Sequence, residues 1–101
     1  MDFSRQIQNS IQVKEQLLTD SKLLAQIEQA IEVCIQSLKA GGCIYFCGNG
    51  GSAADAQHLA AELSGRYYFD RAPLRSEALH CNTSYLTAVG NDYGYNHIFS
   101  R

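Results

Sequence analysis

The stretch "CGNGGSAADAQHLAAELSGR", residues 47–66, joins a short apolar segment to an amphipathic helix through a loop of small residues. Three of the four positions from Gly48 to Gly51 are glycine, which is more than a tight turn requires. Such a loop places backbone N–H groups and a positive helix end at the carboxyl edge of a sheet, where α/β sheets bind ligands. The loop therefore predicts a site for an anionic or hydroxyl-rich ligand, or else a tight structural turn.

A helix is predicted from Ser52 to Ser64, with Ser52 as its cap and Asp55 completing a capping box. Asp55, His58 and Glu62 share one face of this helix. An imidazole and a carboxylate one turn apart suit a divalent metal or a proton transfer, whereas the alternative is a solvated face with a weak contact. The remaining apolar positions form a stripe for packing on the sheet: Ala56, Leu59, Ala60 and Leu63.

The rest of the chain predicts alternating helices and strands. Residues 3–18 and a second segment beginning at "TDS" (19–21) show apolar residues at helical spacing, and Gly41-Gly42 ends the second helix. "CIYFC" (43–47) predicts a strand covered on both faces, and "EALHC" (77–81) predicts another. The apolar face of residues 3–18 precedes the first strand, and we expect it to pack against a partner subunit.

The C-terminal segment predicts a short helix, then a loop, then the start of another helix. The cap is Asn82-Thr83-Ser84, and Gly90 is expected to stop the helix after Val89. "NDYGYN" (91–96) is interpreted as a loop, with a helix beginning near Asn96. Helix, strand, helix, strand, helix indicates an α/β fold with a parallel sheet. Two strands are too few for a doubly wound sheet, so the chain is interpreted as the first half of a larger domain.

The composition is that of one ordinary globular domain. The chain has 101 residues, of which 46% are hydrophobic and 18% charged, with a net charge of −2. This balance gives no reason to expect a nucleic acid or a membrane as partner, and no leader or membrane span is predicted, so a cytoplasmic location is expected. The cysteines at 34, 43, 47 and 81 form no zinc-type pair and are predicted to be reduced, buried thiols.

Isolated polar residues and tyrosines carry weaker signals. His80 is interpreted as a hydrogen-bonded core histidine, and Arg66 as a surface ion pair with Glu62 four residues earlier. The tyrosines form an amphipathic rim, a subunit contact or part of the core, and the pattern does not choose among these: Tyr67, Tyr68, Tyr85, Tyr93 and Tyr95.

Two blocks together carry a family resemblance: "AGGCIYFCGNGGSAADAQHLAAELSGRY" (40–67) and "LTAVGNDYGYNHIFSR" (86–101). They resemble the phosphoheptose isomerase family, which is built on the sugar isomerase (SIS) domain. The resemblance implies a flavodoxin-like, doubly wound parallel sheet. It also implies that residues 1–101 are the N-terminal part of one SIS domain, with helices over 1–40 and the first βα units over 41–101. Family members are nearly twice as long, so the chain is interpreted as truncated.

The resemblance also implies roles for individual residues. The sugar-phosphate loop would consist of Asn49, Gly50, Gly51 and Ser52. His58 and Glu62 would bind zinc and contact substrate, with Glu62 also the catalytic acid/base. Asn91 and Asp92 would form a second substrate-binding pair. One zinc per subunit is expected in a complete chain, whose second half would supply the remaining ligands.

The activity implied by the resemblance is conversion of D-sedoheptulose 7-phosphate to D-glycero-D-manno-heptose 7-phosphate in bacterial heptose biosynthesis. Proton transfer through an enediol(ate) would be catalysed in a cytoplasmic homotetramer, whereas residues 1–101 alone would be inactive. The alternative is a non-catalytic SIS-domain protein that binds a sugar phosphate or a replication-initiator partner. Relatives of that kind lack the carboxylate found here at Glu62, so Glu62 beside His58 favours the enzyme.

Overall fold

The computed structural model describes residues 2–101 and divides the chain into two compact units, with the boundary between Gln36 and Ser37. The elements, in chain order, are helices α1 (Phe3–Thr19) and α2 (Ser21–Lys39), strand β1 (Ile44–Phe46), helix α3 (Gly51–Ser64), strand β2 (Ser76–Ala78), helix α4 (Thr83–Tyr93) and one 3-10 turn (Tyr95–His97). The two predicted N-terminal helices are confirmed. Within the described residues, no helix has both the length and the apolar character that crossing a membrane requires.

Side-chain caps begin both N-terminal helices. The Asp2 carboxylate accepts a hydrogen bond from the Arg5 N–H at 3.1 Å, and the Asp20 carboxylate accepts one from the Leu23 N–H at 2.9 Å. The second cap lies in the "TDS" stretch, as predicted. Neither α1 nor α2 contains a buried residue, and most of their large apolar side chains are exposed. Apolar helix faces of this kind normally pack against another surface.

Gly41 and Gly42 end α2 as predicted. Gly41 has φ +80°, and its N–H donates to the Leu38 carbonyl at 3.1 Å. The Gly42 N–H donates to the Ser37 carbonyl at 2.8 Å. These bonds satisfy the last carbonyls of the helix and turn the chain toward β1.

The second unit is built on a parallel pair of strands joined through α3. Ile44 pairs with Ser76, and Phe46 with Ala78, which confirms the predicted parallel sheet. The small core between helix and sheet consists of Ala56, Ala60 and Ala78, with Phe46 packed against it. Small residues at these positions let the α3 backbone approach the strands closely.

Three predictions about the strands are wrong. The second strand ends at Ala78 rather than 81, because the chain enters a turn at residues 79–80, directly after the Leu79 N–H makes a last hydrogen bond to the Phe46 carbonyl of β1 at 2.9 Å. Tyr45 is 57% exposed, so β1 is covered on one face only. Cys47 and Cys81 are exposed because each lies beyond the end of its strand, whereas Cys34 and Cys43 are partly buried; all four thiols are free.

Helix α4 is longer than predicted. The Asn82 carboxamide accepts from the Tyr85 N–H at 3.0 Å, confirming the cap, but the helix continues through Gly90 to Tyr93. A side chain added at Gly90 would lie 3.8 Å from the Ile98 methyl group, and Ile98 is only 4% exposed. The glycine therefore lies where the C-terminal turn packs back on the helix. Residues 91–93, predicted as loop, belong to the last turn of α4.

Candidate active site

The glycine loop has one tightly packed side and one open side. A Cβ at Gly48 would lie 2.6 Å from the Ser52 backbone, so no side chain fits there. Gly50 has φ +56° and ψ −124°, a conformation that residues with side chains avoid. A Cβ at Gly50 or Gly51 would meet no atom within 4 Å. The backbone is therefore accessible where the chain enters α3.

The predicted capping box at the start of α3 is wrong. The helix begins at Gly51 with Gly50 as its cap, and no side chain caps it. Ser52 lies inside the first turn, where its N–H donates to the Asn49 carbonyl at 3.0 Å. The Ser52 side chain is thus exposed at the helix start rather than used to close it. The first turn carries no acidic residue of its own to offset the positive end of the helix.

His58 and Glu62 form a close pair on α3. The distance between His58 Nε2 and Glu62 Oε1 is 3.2 Å, and the two side chains are 75% and 31% exposed. This confirms that they share a face of the helix, as their spacing predicted. Asp55 is exposed and forms no hydrogen bond or ion pair with either of them in residues 2–101.

An open pocket of about 600 Å³ lies beside this pair. His58 and Glu62 line it together with Leu59, Leu63 and the β1 residue Phe46. Of the predicted apolar stripe, Ala56 and Ala60 are buried in the core, whereas Leu59 is exposed and Leu63 is half-buried. Aromatic side chains from the segment after α3 complete the wall: Tyr67, Tyr68 and Phe69.

The tyrosine nearest to α3 remains protonated at neutral pH. A hydrogen bond with the Tyr68 side chain is the main cause that raises the pKa of Tyr67 above its usual 10.0, and partial desolvation and then the Glu62 carboxylate add to it. Tyr67 therefore lines the pocket as a neutral phenol.

Arg71 closes the C-terminal end of α3, a role that the sequence did not reveal. Its Nη2 donates to the Glu62 carbonyl at 2.9 Å, and its Nη1 donates to the Leu63 carbonyl at 2.9 Å. A guanidinium satisfies free helix-end carbonyls well, because it offers several donors in one plane. The predicted ion pair between Arg66 and Glu62 is absent, since within the described residues the carboxylate pairs with His58 alone.

The loop residue Asn49 contacts a residue from the far end of the chain. Its Oδ1 accepts a hydrogen bond from the Tyr95 hydroxyl at 2.5 Å. The sequence offered no signal for this contact beyond an unassigned tyrosine. Asn91 and Asp92 bond to each other, Nδ2 to Oδ1 at 3.1 Å, and both are exposed on the last turn of α4.

The glycine loop lies at the start of α3, whereas His58 lies near the middle of the helix and Glu62 near its end. At 1.5 Å per residue, His58 lies about 10 Å and Glu62 about 16 Å along the helix axis from Gly51. The structure thus brings together His58 with Glu62, and Asn49 with Tyr95, but it does not bring the loop to the carboxylate.

The donor atoms of the pair fit half of a zinc site. An imidazole nitrogen and a carboxylate oxygen are both ordinary zinc ligands, and 3.2 Å between them allows one ion to contact both. Within residues 2–101 no third histidine, cysteine or acidic side chain joins them in a metal-binding group. Zinc sites usually have three or four protein ligands, so one or two more donors are needed.

A parallel β–α–β unit with an open glycine loop at the start of its helix defines an α/β ligand-binding domain. The chain belongs to the SIS domain family, whose model matches residues 5–101. It therefore has the SIS domain fold, as the resemblance implied.

Individual relatives agree with this assignment. The chain is 57% identical over 95 residues to the phosphoheptose isomerase of Aneurinibacillus thermoaerophilus. The aligned residues cover 94% of this chain and 48% of that protein. It is similar in structure to the phosphoheptose isomerase of Neisseria gonorrhoeae, with a TM-score of 0.82, 44% identity, and coverage of 96% of this chain and 48% of the other. The phosphoheptose isomerase of Francisella tularensis is also similar in structure, with a TM-score of 0.79 and 32% identity, and the match covers 99% of this chain and 53% of the other. The chain spans about half the length of these relatives, and the predicted resemblance is confirmed.

Proposed function

We propose that residues 1–101 are the N-terminal part of a single SIS domain and that the full-length protein is a phosphoheptose isomerase. The observation that carries this proposal is the His58–Glu62 pair, 3.2 Å apart beside an open pocket. The reaction would convert D-sedoheptulose 7-phosphate to D-glycero-D-manno-heptose 7-phosphate for bacterial heptose biosynthesis. The names of the relatives support the substrate class.

Glu62 is the proposed base. In a ketose-to-aldose conversion a base removes one proton from C1, and a proton is returned to C2 as the carbonyl moves from C2 to C1. The hydroxyl proton of O1 is lost and O2 gains one, so that the atoms balance through an enediol(ate). A carboxylate at the pocket edge suits this transfer because it is accessible to a carbon acid and still partly shielded from water.

His58 and Glu62 are also the proposed zinc ligands. Zinc, when bound, supplies Lewis-acid stabilisation of the negative oxygen that develops beside the carbon losing its proton. A carboxylate that donates its electrons to a metal is a weaker base. Glu62 would therefore serve either as ligand or as base at a given instant, not as both.

The phosphate end of the substrate is assigned to the glycine loop, namely Asn49, Gly50, Gly51 and Ser52, and its hydroxyls to Asn91 and Asp92. Backbone N–H groups at an open helix start suit a phosphate. Glu62 lies about 16 Å along the axis from that helix start. We propose that loop and carboxylate from neighbouring copies act on one substrate in a cytoplasmic homotetramer. The exposed apolar faces of the N-terminal helices support such an assembly.

The test is isomerisation of sedoheptulose 7-phosphate by the full-length protein in deuterated water, read by NMR. Wild type should form the aldose and place deuterium on carbon. Glu62→Gln should bind substrate but react about 10²- to 10⁴-fold more slowly, the usual contribution of a general base. Metal content must be measured in both proteins, because loss of a ligand would imitate loss of the base.

Asp55→Asn is the matched control, since Asp55 lies on the same helix without contacting the pair. It should react at the wild-type rate. A Glu62→Gln variant as fast as wild type would remove Glu62 from the chemistry. A wild-type protein that binds the sugar phosphate without exchanging or isomerising it would instead support the non-catalytic alternative.

A further inference from the structure

Asn49 is held at two points by groups from different parts of the chain. Its main-chain carbonyl accepts the Ser52 N–H at 3.0 Å, which fixes its backbone at the start of α3. Its side-chain Oδ1 accepts the Tyr95 hydroxyl at 2.5 Å. The first contact is local, whereas the second joins the glycine loop to the C-terminal turn.

The element that carries Tyr95 is itself fixed by packing. Gly94, with φ +97°, ends α4 and turns the chain into the 3-10 segment. Ile98 directly follows that segment and is only 4% exposed. Its N–H donates to the Tyr95 carbonyl at 3.3 Å. The hydroxyl is therefore presented by a packed turn rather than by a free chain end.

The direction of this hydrogen bond determines what Asn49 offers to a ligand. A carboxamide has one acceptor atom, Oδ1, and one donor atom, Nδ2, with two N–H groups. Because Tyr95 occupies Oδ1, the amide plane is fixed and its free side is a donor. No other side chain within residues 2–101 bonds to Asn49. The ligand group that matches this amide is an acceptor oxygen, such as that of a phosphate or a sugar hydroxyl.

We propose that Tyr95 is a positioning residue that sets Asn49 as a hydrogen-bond donor to the sugar phosphate. This rests on the proposed function, because that function assigns Asn49 to the substrate. Tyr95 acts only through the amide and does not touch the reacting carbons. Without the Tyr95 hydroxyl the Asn49 amide can rotate. Ligand binding must then select the orientation that points Nδ2 at the ligand, and this lowers the affinity.

The test is Tyr95→Phe in the full-length protein, with Tyr93→Phe as the matched control. Tyr93 is also exposed, but its ring lies under the Arg101 guanidinium at 3.8 Å, and in residues 2–101 the side-chain hydrogen bond to the loop comes from Tyr95 instead. Tyr95→Phe should raise KM about 5- to 10-fold, the effect of one hydrogen bond, with kcat and melting temperature unchanged. Tyr93→Phe should change none of these quantities.

Calorimetric titration with inorganic phosphate separates this proposal from the proposed reaction. Kd for phosphate should rise in Tyr95→Phe by a factor similar to that for KM, whether or not the wild type isomerises the sugar. If wild type binds phosphate but does not isomerise, the proposed function fails and the role of Tyr95 is still measured. A Kd equal to that of wild type would overturn the positioning role.

Asn49→Asp provides a second variant. The carboxylate still accepts the Tyr95 hydroxyl, but it replaces both N–H donors with a negative charge, so phosphate affinity should fall more than 10-fold, as one lost donor plus repulsion implies. Adding Tyr95→Phe to this variant should weaken binding no further, because no donor remains to be positioned. Equal effects of Tyr95→Phe in both backgrounds, or a fall in melting temperature with parallel loss of kcat, would assign Tyr95 a purely structural role.

Discussion

His58 Nε2 lies 3.2 Å from Glu62 Oε1 across one turn of α3, yet the two side chains differ in their surroundings. His58 is 75% exposed, whereas Glu62 is 31% exposed and its main-chain carbonyl is bonded by Arg71. The histidine can therefore be replaced with little cost to the fold. Glu62, by contrast, lies in the C-terminal part of α3, which Arg71 from the following segment holds in place.

His58→Ala in the full-length protein should abolish zinc binding, from near one ion per subunit to near none, because a site of three or four ligands that loses one of them binds zinc much more weakly. Elemental analysis of the purified protein measures this directly. His97→Ala, which removes another exposed histidine, is the control and should keep its metal. Full retention of zinc in His58→Ala would remove His58 from the site.

Gly48→Ala should lower the free energy of unfolding by about 1–3 kcal/mol, because the added Cβ would lie 2.6 Å from the Ser52 backbone. Gly51→Ala should leave stability unchanged or raise it by up to about 1 kcal/mol, since the position is helical and open. Urea unfolding of the two variants measures the difference. Equal destabilisation by both would show that the tight contact at Gly48 does not exist.

Gly51→Ala should nevertheless weaken the binding of phosphate, because the new methyl group lies where a ligand must approach the backbone. Calorimetric titration with inorganic phosphate measures this, with Ala61→Gly, an exposed position near the other end of the same helix, as the control away from the loop. Unchanged affinity in Gly51→Ala would place the phosphate elsewhere.

Arg71→Met should destabilise the protein by about 1.5–3 kcal/mol, because the α3 carbonyls lose a charged donor while the apolar stem is kept. Arg66→Met is the matched control, since Arg66 is exposed and forms no ion pair in the described part of the chain, and it should change stability by no more than about 0.5 kcal/mol. Thermal unfolding compares the two. A null effect at Arg71 would mean that solvent satisfies these carbonyls equally well.

The double variant Ile7→Glu and Ile11→Glu should reduce the size of the assembly in light scattering, because charges on the apolar face of α1 oppose burial in a subunit contact. Ile7 and Ile11 are 62% and 44% exposed in the single chain. Val13→Glu, on another face of the helix, is the control and should leave the assembly intact. Wild type that is monomeric at micromolar concentration would contradict the proposed tetramer.

Features set by local chemistry were predictable from the sequence. Asp20 and Asn82 cap their helices, and Gly41 ends α2, because each requires only neighbouring backbone groups. The spacing of His58 and Glu62 likewise implied their contact, since three- and four-residue steps bring side chains together on any helix.

Features set by tertiary packing were not predictable. Gly90 was expected to stop α4, but the helix passes through it and Ile98 packs close to that position. Ser52 was expected to cap α3, but the freedom of Gly50 lets the helix start one residue earlier. The contact between Tyr95 and Asn49 depends on where two distant segments meet, and no periodicity or local motif encodes it.

Ile44 and Ser76 are paired in the parallel sheet, although the whole of α3 separates them along the chain. The strands can form their hydrogen bonds only after this long connection has closed. The chain therefore loses the conformational entropy of loop closure before strand pairing contributes to stability. The amides of α1, by contrast, are bonded within a few residues. In a hydrogen-exchange time course the N–H of Ile44, which donates to the Arg75 carbonyl, should therefore exchange only when the whole β–α–β unit opens, while the ends of α1 fray independently.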